Sequence, residues 1–344
     1  MITIKEIARR ANVSIGTVDR VLHNRGRVAE GTARFIKQIV NETGYLPNLN
    51  ARSLSLKRQI LIAGLMPLPN QDDGYWKKPK TGILNAGKEL APYNVEIKLF
   101  HYNKYDESSF RERFEQMLLS KPDGIIMAPV ISDTADSLLR EIPADTPYLF
   151  FDGNLGKSNS ICYIGQNSFD SGVLAGELMK MIIQIPGVIA AIQPLANDYH
   201  IVQRIEGFCQ SITSSGKYQL SIHIPEKGGD AASFRKILRQ VFAENDQING
   251  LFVSNAACHY AADYLLEKKL TEVKLIGYDL VKKNVKYLQN GVIDFLICQR
   301  PEKQGFDGVH ILHRYLTSGE ITDPQIFMPL DIITKMNVNY YQYV

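Results

Sequence analysis

No run of eighteen apolar residues occurs in this chain, and its first residues start a helix where a secretory signal would place a charged segment and an apolar core. The expectation is a cytoplasmic protein with no membrane contact. Cysteine is scarce: Cys162, Cys209, Cys258 and Cys298 are scattered, with no Cys-x-x-Cys pair and, apart from His259 beside Cys258, no histidine nearby. That argues against a zinc site and makes reduced thiols the expectation over disulfides. Also missing are a Gly-x-Ser-x-Gly nucleophile turn, a phosphate loop and a dinucleotide fingerprint. His101, His200, His223, His259, His310 and His313 show no partner arrangement along the sequence. No catalytic residue, no metal ligand and no cofactor is therefore expected, and the chain reads as a protein that is not an enzyme.

What is present begins at the N-terminus. The chain has 344 residues, 45% of them hydrophobic, enough for two or three globular domains. Thr3 and Glu6 have the spacing of a capping box that starts a helix at Ile4, and Ile7, Ala8 and Ala11 fall on one face of it. The pattern breaks at Asn12-Val13, and Ser14 is placed to cap a second helix with Val18, Val21 and Leu22 inward. After a loop at Arg25-Gly26-Arg27-Val28, a third helix is predicted from Glu30 to Thr43, with Phe35, Ile36, Ile39 and Val40 as its buried stripe and Gly44 as its C-cap. Two short helices joined by a tight turn, closed by a third, read as a helix-turn-helix. Charge agrees: residues 1–60 hold eleven Lys or Arg against four acids, while the remainder holds 28 against 32. A basic excess confined to one small module suits a polyanion, because cationic side chains on phosphates release condensed counterions. A solvated basic surface on a small structural domain is the other reading of that charge.

The order of these helices, followed by Gly44-Tyr45-Leu46-Pro47-Asn48 and Asn50-Ala51-Arg52-Ser53-Leu54, resembles the headpiece and hinge of the lactose and galactose repressor (LacI/GalR) family. The resemblance implies that Ile15, Gly16 and Arg20 face base edges in the major groove of operator DNA. Arg20 can offer guanine a bidentate fork and Ile15 can offer a thymine methyl an apolar face. Ser14, Thr17, Asn24 and Arg27 become phosphate-positioning groups, and Thr3 a further DNA contact. It further implies that Asn48 to Lys57, too short to be a stable helix alone, folds on DNA, pairs with its copy in a dimer, contacts DNA through Ala51 and inserts Leu54 into the minor groove. Without the resemblance the same segment reads as a flexible linker. The domain expectation is a headpiece at 1–46, a hinge at 47–59 and an effector-binding core at 60–344.

From Gln59 onward the pattern alternates. Short apolar runs such as Ile60–Leu65, Val95–Phe100, Gly124–Met127, Tyr148–Phe151, Val188–Gln193 and Lys274–Tyr278 alternate with helical stretches such as Lys80–Leu90, Ser108–Ser120, Ser168–Ile183 and Ile201–Ser214. This argues for parallel sheets with right-handed crossovers. The resemblance extends here to ribose-binding proteins. It implies a fold class of an all-α headpiece plus an α/β core of two doubly wound parallel-sheet subdomains, like periplasmic binding protein type I. The expected divisions are an N-subdomain at about 60–164 and 301–328 and a C-subdomain at about 165–300 and 329–344, with crossings near Gly165, Pro301 and Pro329.

Ligands in such sheets bind beyond the carboxyl ends of the strands. The loops there offer Tyr75, Trp76, Asp152, Arg204, Asn255, Asp279 and Gln299. Planar polar groups that donate and accept, with an aromatic face, suit a polyhydroxylated ligand. Trp76, the only tryptophan, is the stacking candidate, although Asp or Asn past a strand also serves as a helix cap or turn former. The basic run around Lys77, Lys78 and Lys80 keeps a sugar acid open beside a sugar or polyol. The functional expectation is a ligand-responsive transcriptional regulator, a repressor acting on a near-palindromic operator as a homodimer, with a tetramer left open. The alternative is a sugar-modifying enzyme with an accessory DNA-binding segment.

Overall fold

The structure is a computed structural model that describes residues 4–22, 26, 28–43, 58–156, 158–196, 198–214, 216–225, 230–245, 247–320 and 323–341. Its chain divides into a helical unit and an α/β unit that begins at Ile60. Thr3, Asn24, Arg27, Gly44 and the hinge residues 48–57, with Ala51 and Leu54, lie outside the described residues, as do the expectations placed on them.

The helical unit consists of α1 (Ile4–Ala11), α2 (Ile15–Leu22) and α3 (Glu30–Thr43). Asn12, a residue that tolerates the left-handed region, takes φ 51° and ends α1, and the Val13 N–H closes the turn on the Ala8 carbonyl at 3.0 Å. Ser14 then caps α2, its Oγ accepting from the Thr17 N–H at 3.1 Å. Ile7, Ala8, Ala11, Val18, Val21, Ile36 and Ile39 form one buried cluster with Leu22 and Val40 against its edge. Phe35 does not join it and is 48% exposed, which corrects the expected stripe. One residue from Ile36 is a turn of about 100° around the helix, and a three-helix core this small ends before reaching it.

The α/β unit holds two six-stranded sheets. In the first, β1 (Ile60–Pro67), β2 (Val95–Tyr102), β3 (Gly124–Met127), β4 (Tyr148–Phe151), β5 (Tyr163–Gly165) and β11 (Gln325–Phe327) run in the order β11-β5-β4-β3-β1-β2. In the second, β6 (Val188–Ile192), β7 (Gln219–His223), β8 (Ile248–Val253), β9 (Lys274–Tyr278), β10 (Phe295–Cys298) and β12 (Asp331–Ile333) run in the order β12-β10-β9-β8-β6-β7. The central strands are buried on both faces, as continuous apolar runs require. All pairs are parallel except β10 with β12, an antiparallel edge on an otherwise parallel sheet. That exception was not expected from the alternating pattern.

Helices cover both faces of each sheet. The first is covered by α4 (Lys77–Leu90) and α12 (Pro301–Ser318) on one side, and by α5 (Glu107–Leu119) and α6 (Ser132–Leu138) on the other. The second is covered by α7 (Ser168–Ile182) and α8 (Tyr199–Thr213) opposite α9 (Ala231–Glu244), α10 (Cys258–Lys268) and α11 (Lys282–Gln289). A last short helix, α13 (Val338–Tyr341), follows β12. The sequence reading had no element for α12 or for the three-residue strands β5 and β11, although Val309 and Leu312 of α12 lie in the first sheet's core. Among the described residues no helix is long and apolar enough to cross a membrane, and all four cysteines are free thiols.

Close helix packing sets up the site. A Cβ at Gly172 of α7 would lie 2.0 Å from the Arg204 carbonyl, and one at Gly207 of α8 would lie 2.0 Å from the Phe169 carbonyl. These two glycines let the helices touch backbone to backbone, which fixes where α8 presents Arg204.

Candidate functional site

In the helical unit, Ser14, Ile15, Gly16 and Arg20 are exposed on the outer side of α2 and Thr17 is half-buried. Ile15, 44% exposed, is an apolar side chain presented to solvent at the start of a helix. Ser14 and Thr17 also share a hydroxyl contact of 2.9 Å, so both carry a capping role inside the module. The Glu6 carboxylate accepts from Arg9 at 2.8 and 2.6 Å and from Arg10 at 3.1 Å, and these hydrogen bonds hold it at about 2.

In the α/β unit, one cavity collects all seven residues singled out from the strand-end loops: Tyr75, Trp76, Asp152, Arg204, Asn255, Asp279 and Gln299. It lies at the carboxyl ends of strands from both sheets, as the topology of open α/β sheets favours. Arg204 is 1% exposed. Its Nη1 donates to the Ser254 carbonyl at 2.9 Å, its Nη2 to Gln299 Oε1 at 2.6 Å, and its guanidinium lies 4.0 Å from the centre of the Tyr278 ring. Nε finds no acceptor among the described residues. Gln299 passes the contact on, its Nε2 donating to both oxygens of Asp279 at 3.0 Å. Burial pushes the Asp279 carboxyl up to about 7; Arg204 and Gln299 oppose that, and Asp152 and Asp72 add to it.

Across the cavity the Tyr75 hydroxyl donates to the Asp152 carboxylate, and burial raises that phenol well above its ordinary range. Asp152 and Asp279 both sit in the left-handed region, at φ 65° and 67°, where short polar side chains are best tolerated. Gln304 of α12 braces both sides of the site, accepting from the Asp152 N–H at 2.9 Å and donating to the Gln299 carbonyl at 2.8 Å. Gln166, where the chain leaves the first sheet, donates to the Cys298 and Pro329 carbonyls at 2.9 and 3.2 Å. It thereby ties the three crossings between the sheets together.

Trp76 is 2% exposed; it meets Tyr75 and Phe151 edge-on, and its indole N–H donates to Asp72 at 2.8 Å. Asn255 lines the cavity while its Oδ1 accepts from the Ala257 N–H at 2.9 Å, a turn-forming contact.

Four more polar residues line the cavity and had not been singled out: Asp72, Lys104, Asp198 and His200. The Lys104 ammonium donates to the Asp72 carboxylate; burial disfavours its charge, yet that carboxylate holds the ammonium above its ordinary value. Burial works to raise Asp198, and the His200 imidazole, 2.6 Å away, outweighs it with help from Lys104 and Arg204, so the carboxyl is lowered. The signal available for them was position alone, since Lys104 follows β2 and Asp198 follows β6, as the other residues follow their strands.

The polar groups leave about 30 Å³ between them, far less than the 300 Å³ or so of a typical ligand pocket. A wider groove of about 1240 Å³ shares Tyr75 and Asp279 with this cavity. Lys303 and Arg300 of its lining are paired with Asp307 and Asp331, and the convergent polar groups lie in the smaller cavity.

A model of the lacI family of bacterial regulatory proteins matches residues 3–48, and a model of the periplasmic binding protein domain matches residues 63–321. The chain belongs to the LacI family. Among LacI-family relatives, the transcriptional repressor PurR of Klebsiella pneumoniae is 25% identical over 362 residues, covering 94% of this chain and 99% of the relative. The regulator MalR of Streptococcus pneumoniae is 25% identical over 297 residues, covering 81% and 84%. DegA of Bacillus subtilis is 32% identical over 144 residues, 42% of this chain and 41% of its own length. Two solved structures share the fold of the α/β unit. The glucose-galactose binding protein GanP of Geobacillus stearothermophilus matches with TM-score 0.75 at 18% identity over 82% of this chain and 99% of its own. The arabinose-binding protein AraP of the same organism matches with TM-score 0.67 at 21% identity over 83% and 99%. This LacI-family chain is a DNA-binding regulator of transcription and not an enzyme.

Proposed function

We propose that the chain acts in the cytoplasm as a homodimeric repressor of a near-palindromic operator, and that a small neutral sugar or polyol held between its two sheets alters its affinity for DNA. The observation that carries the effector reading is the chain of buried groups from Arg204 through Gln299 to Asp279, facing Asp152 and Tyr75 in one cavity. Hydroxyl groups donate and accept at once, and this set offers them both carboxylate acceptors and a guanidinium N–H. Charge narrows the class. Asp72, Asp152, Asp198 and Asp279 line the cavity with Lys104, Arg204 and His200, four carboxyl groups to three basic ones, so a sugar acid would bring a further acidic group to a dry site that gives it no spare cation. A relative of this length, the ribose operon repressor of Lactococcus lactis, is 22% identical over 98% of both chains and is consistent with a sugar-type effector.

On the DNA side, Arg20, Ile15 and Gly16 are proposed to read base edges, and Ser14 and Thr17 to position phosphates. Thr3, Asn24, Arg27, Ala51 and Leu54 complete that proposal from the family pattern. The test is a thermal-shift screen of the full chain against matched neutral sugars, polyols and sugar acids, since a ligand at one hundred times its Kd stabilises by about 2.7 kcal/mol. Neutral compounds should raise the midpoint in the native chain and not in Asp279→Ala. A shift produced by sugar acids alone overturns the charge argument.

A further inference from the structure

Asp72, Asp73 and Gly74 take φ 50°, 51° and 86° in succession. Two neighbouring left-handed residues other than glycine are sparsely populated backbone, and they persist where surrounding contacts over-determine them. Here both aspartates are held, by different parts of the molecule. Asp72 turns inward to Lys104 and the Trp76 indole, within the first sheet's half of the unit. Asp73 reaches the second sheet's half: its Oδ1 lies 3.0 Å from Lys283 Nζ on α11, and its Oδ2 lies 2.7 Å from His259 Nε2 on α10.

The receiving surface is rigid. His259 is fully buried, and its Nδ1 lies 3.2 Å from Asn284 Oδ1. Asn284, also fully buried, donates to the carbonyls of Ala256, Tyr278 and Asp279 at 2.9, 2.9 and 3.1 Å. The Lys283 ammonium supplies the attraction, and His259, held by Asn284, is the wall on which the carboxylate is seated. One side of the contact thus continues directly into Tyr75 and Trp76, and the other into the backbone of Asp279. Asp73, His259 and Lys283 are not among the residues that line that cavity.

We infer that Asp73 is a positioning residue whose contact with Lys283 and His259 seats the Tyr75–Trp76 loop on the second sheet's half and keeps the cavity covered. The consequence for effector binding rests on the reading of the cavity as the effector site. The contact itself is tested without any effector, so its failure and the failure of that reading are separate results.

Trp76, the sole tryptophan, is the reporter. In the full-length chain, Asp73→Asn removes the charge at constant volume in a residue type that tolerates the left-handed region. Lys283→Met removes the partner charge on the other side and keeps the aliphatic stem. Both variants should raise the acrylamide quenching of Trp76 about twofold, the scale of a partly exposed ion pair. Native quenching should rise with added salt, and that rise should vanish in either variant. The double variant should be no more exposed than either single one, because both remove the same contact. Unfolding midpoints in denaturant confirm that each variant is folded. Native-like quenching in both variants overturns the inference. So does a change in Asp73→Asn with none in Lys283→Met, because the attraction assigned to the Lys283 ammonium would then contribute nothing to seating the loop.

Discussion

The helical unit and the cavity use the same residue types in opposite surroundings. Glu6 with Arg9 and Arg10, and Ser14 with Thr17, are partners three or four residues apart in the sequence, exposed to water. Arg204 and Gln299 are 95 residues apart and Tyr75 and Asp152 are 77 apart, in each case buried. An arginine at the surface of α2 is free to meet a phosphate or a base, in water and under salt screening. An arginine in the cavity is committed to named acceptors, and every displaced partner leaves an uncompensated group behind. The two sites should therefore respond to damage on different scales.

The largest effect is expected at Arg204. Arg204→Met leaves Gln299 Oε1, the Ser254 carbonyl and the Asp279 carboxylate without their cation, a loss of about 3–5 kcal/mol for a broken buried charge network. Denaturant titration of the full chain should show it, whereas Arg9→Met, which breaks the exposed pair with Glu6, should leave the midpoint unchanged. Equal effects at the two arginines would erase the contrast.

Next in size is a pH effect confined to the cavity. Asp279 is raised from 3.8 to about 7 in the folded chain. A group whose folded value is raised stabilises fully below its unfolded value, and that stability is lost as pH rises from about 4 to 7. Relative to Asp279→Asn, the native chain should lose up to about 4 kcal/mol over that interval. Parallel stability curves for the two chains would show that Asp279 ionises as it does in water.

Arg20→Ala tests the other side of the comparison. It should reduce discrimination between a selected operator and scrambled DNA by about 1–3 kcal/mol while leaving salt-sensitive non-specific binding in place. Retention of the native preference in a competition titration would remove Arg20 from base reading.

The smallest change expected is a gain. A Cβ at Gly16 would meet only Ser14 Oγ, at an ordinary 3.7 Å, so Gly16→Ala should stabilise the helical unit by about 0.5–1 kcal/mol in a thermal melt. Weaker operator binding in the same variant would place Gly16 against DNA.

How much could be read in advance follows the same division. The turn at Asn12-Val13, the Ser14 cap and the apolar faces of α1 and α2 depend on neighbours within a few residues, and all were legible. Phe35 was misplaced because periodicity gives the direction of a side chain and not how far a small core extends. In the α/β unit the strand-helix alternation was legible, while α12 and the three-residue strands β5 and β11 were not. Strands that short are defined by the pairing they join.

By itself the sequence determined the order of helices and strands, the concentration of positive charge in the first sixty residues, and the polar residues standing just past the strands. These depend on local propensity, period and composition. Only the tertiary structure decided that Arg204 reaches Asp279 through Gln299, that Lys104, Asp198 and His200 enter the same cavity, and that Asp73 lies against Lys283 and His259. Each of these contacts joins residues brought together by the crossovers, and burial then strengthens charges and hydrogen bonds that water would otherwise have screened.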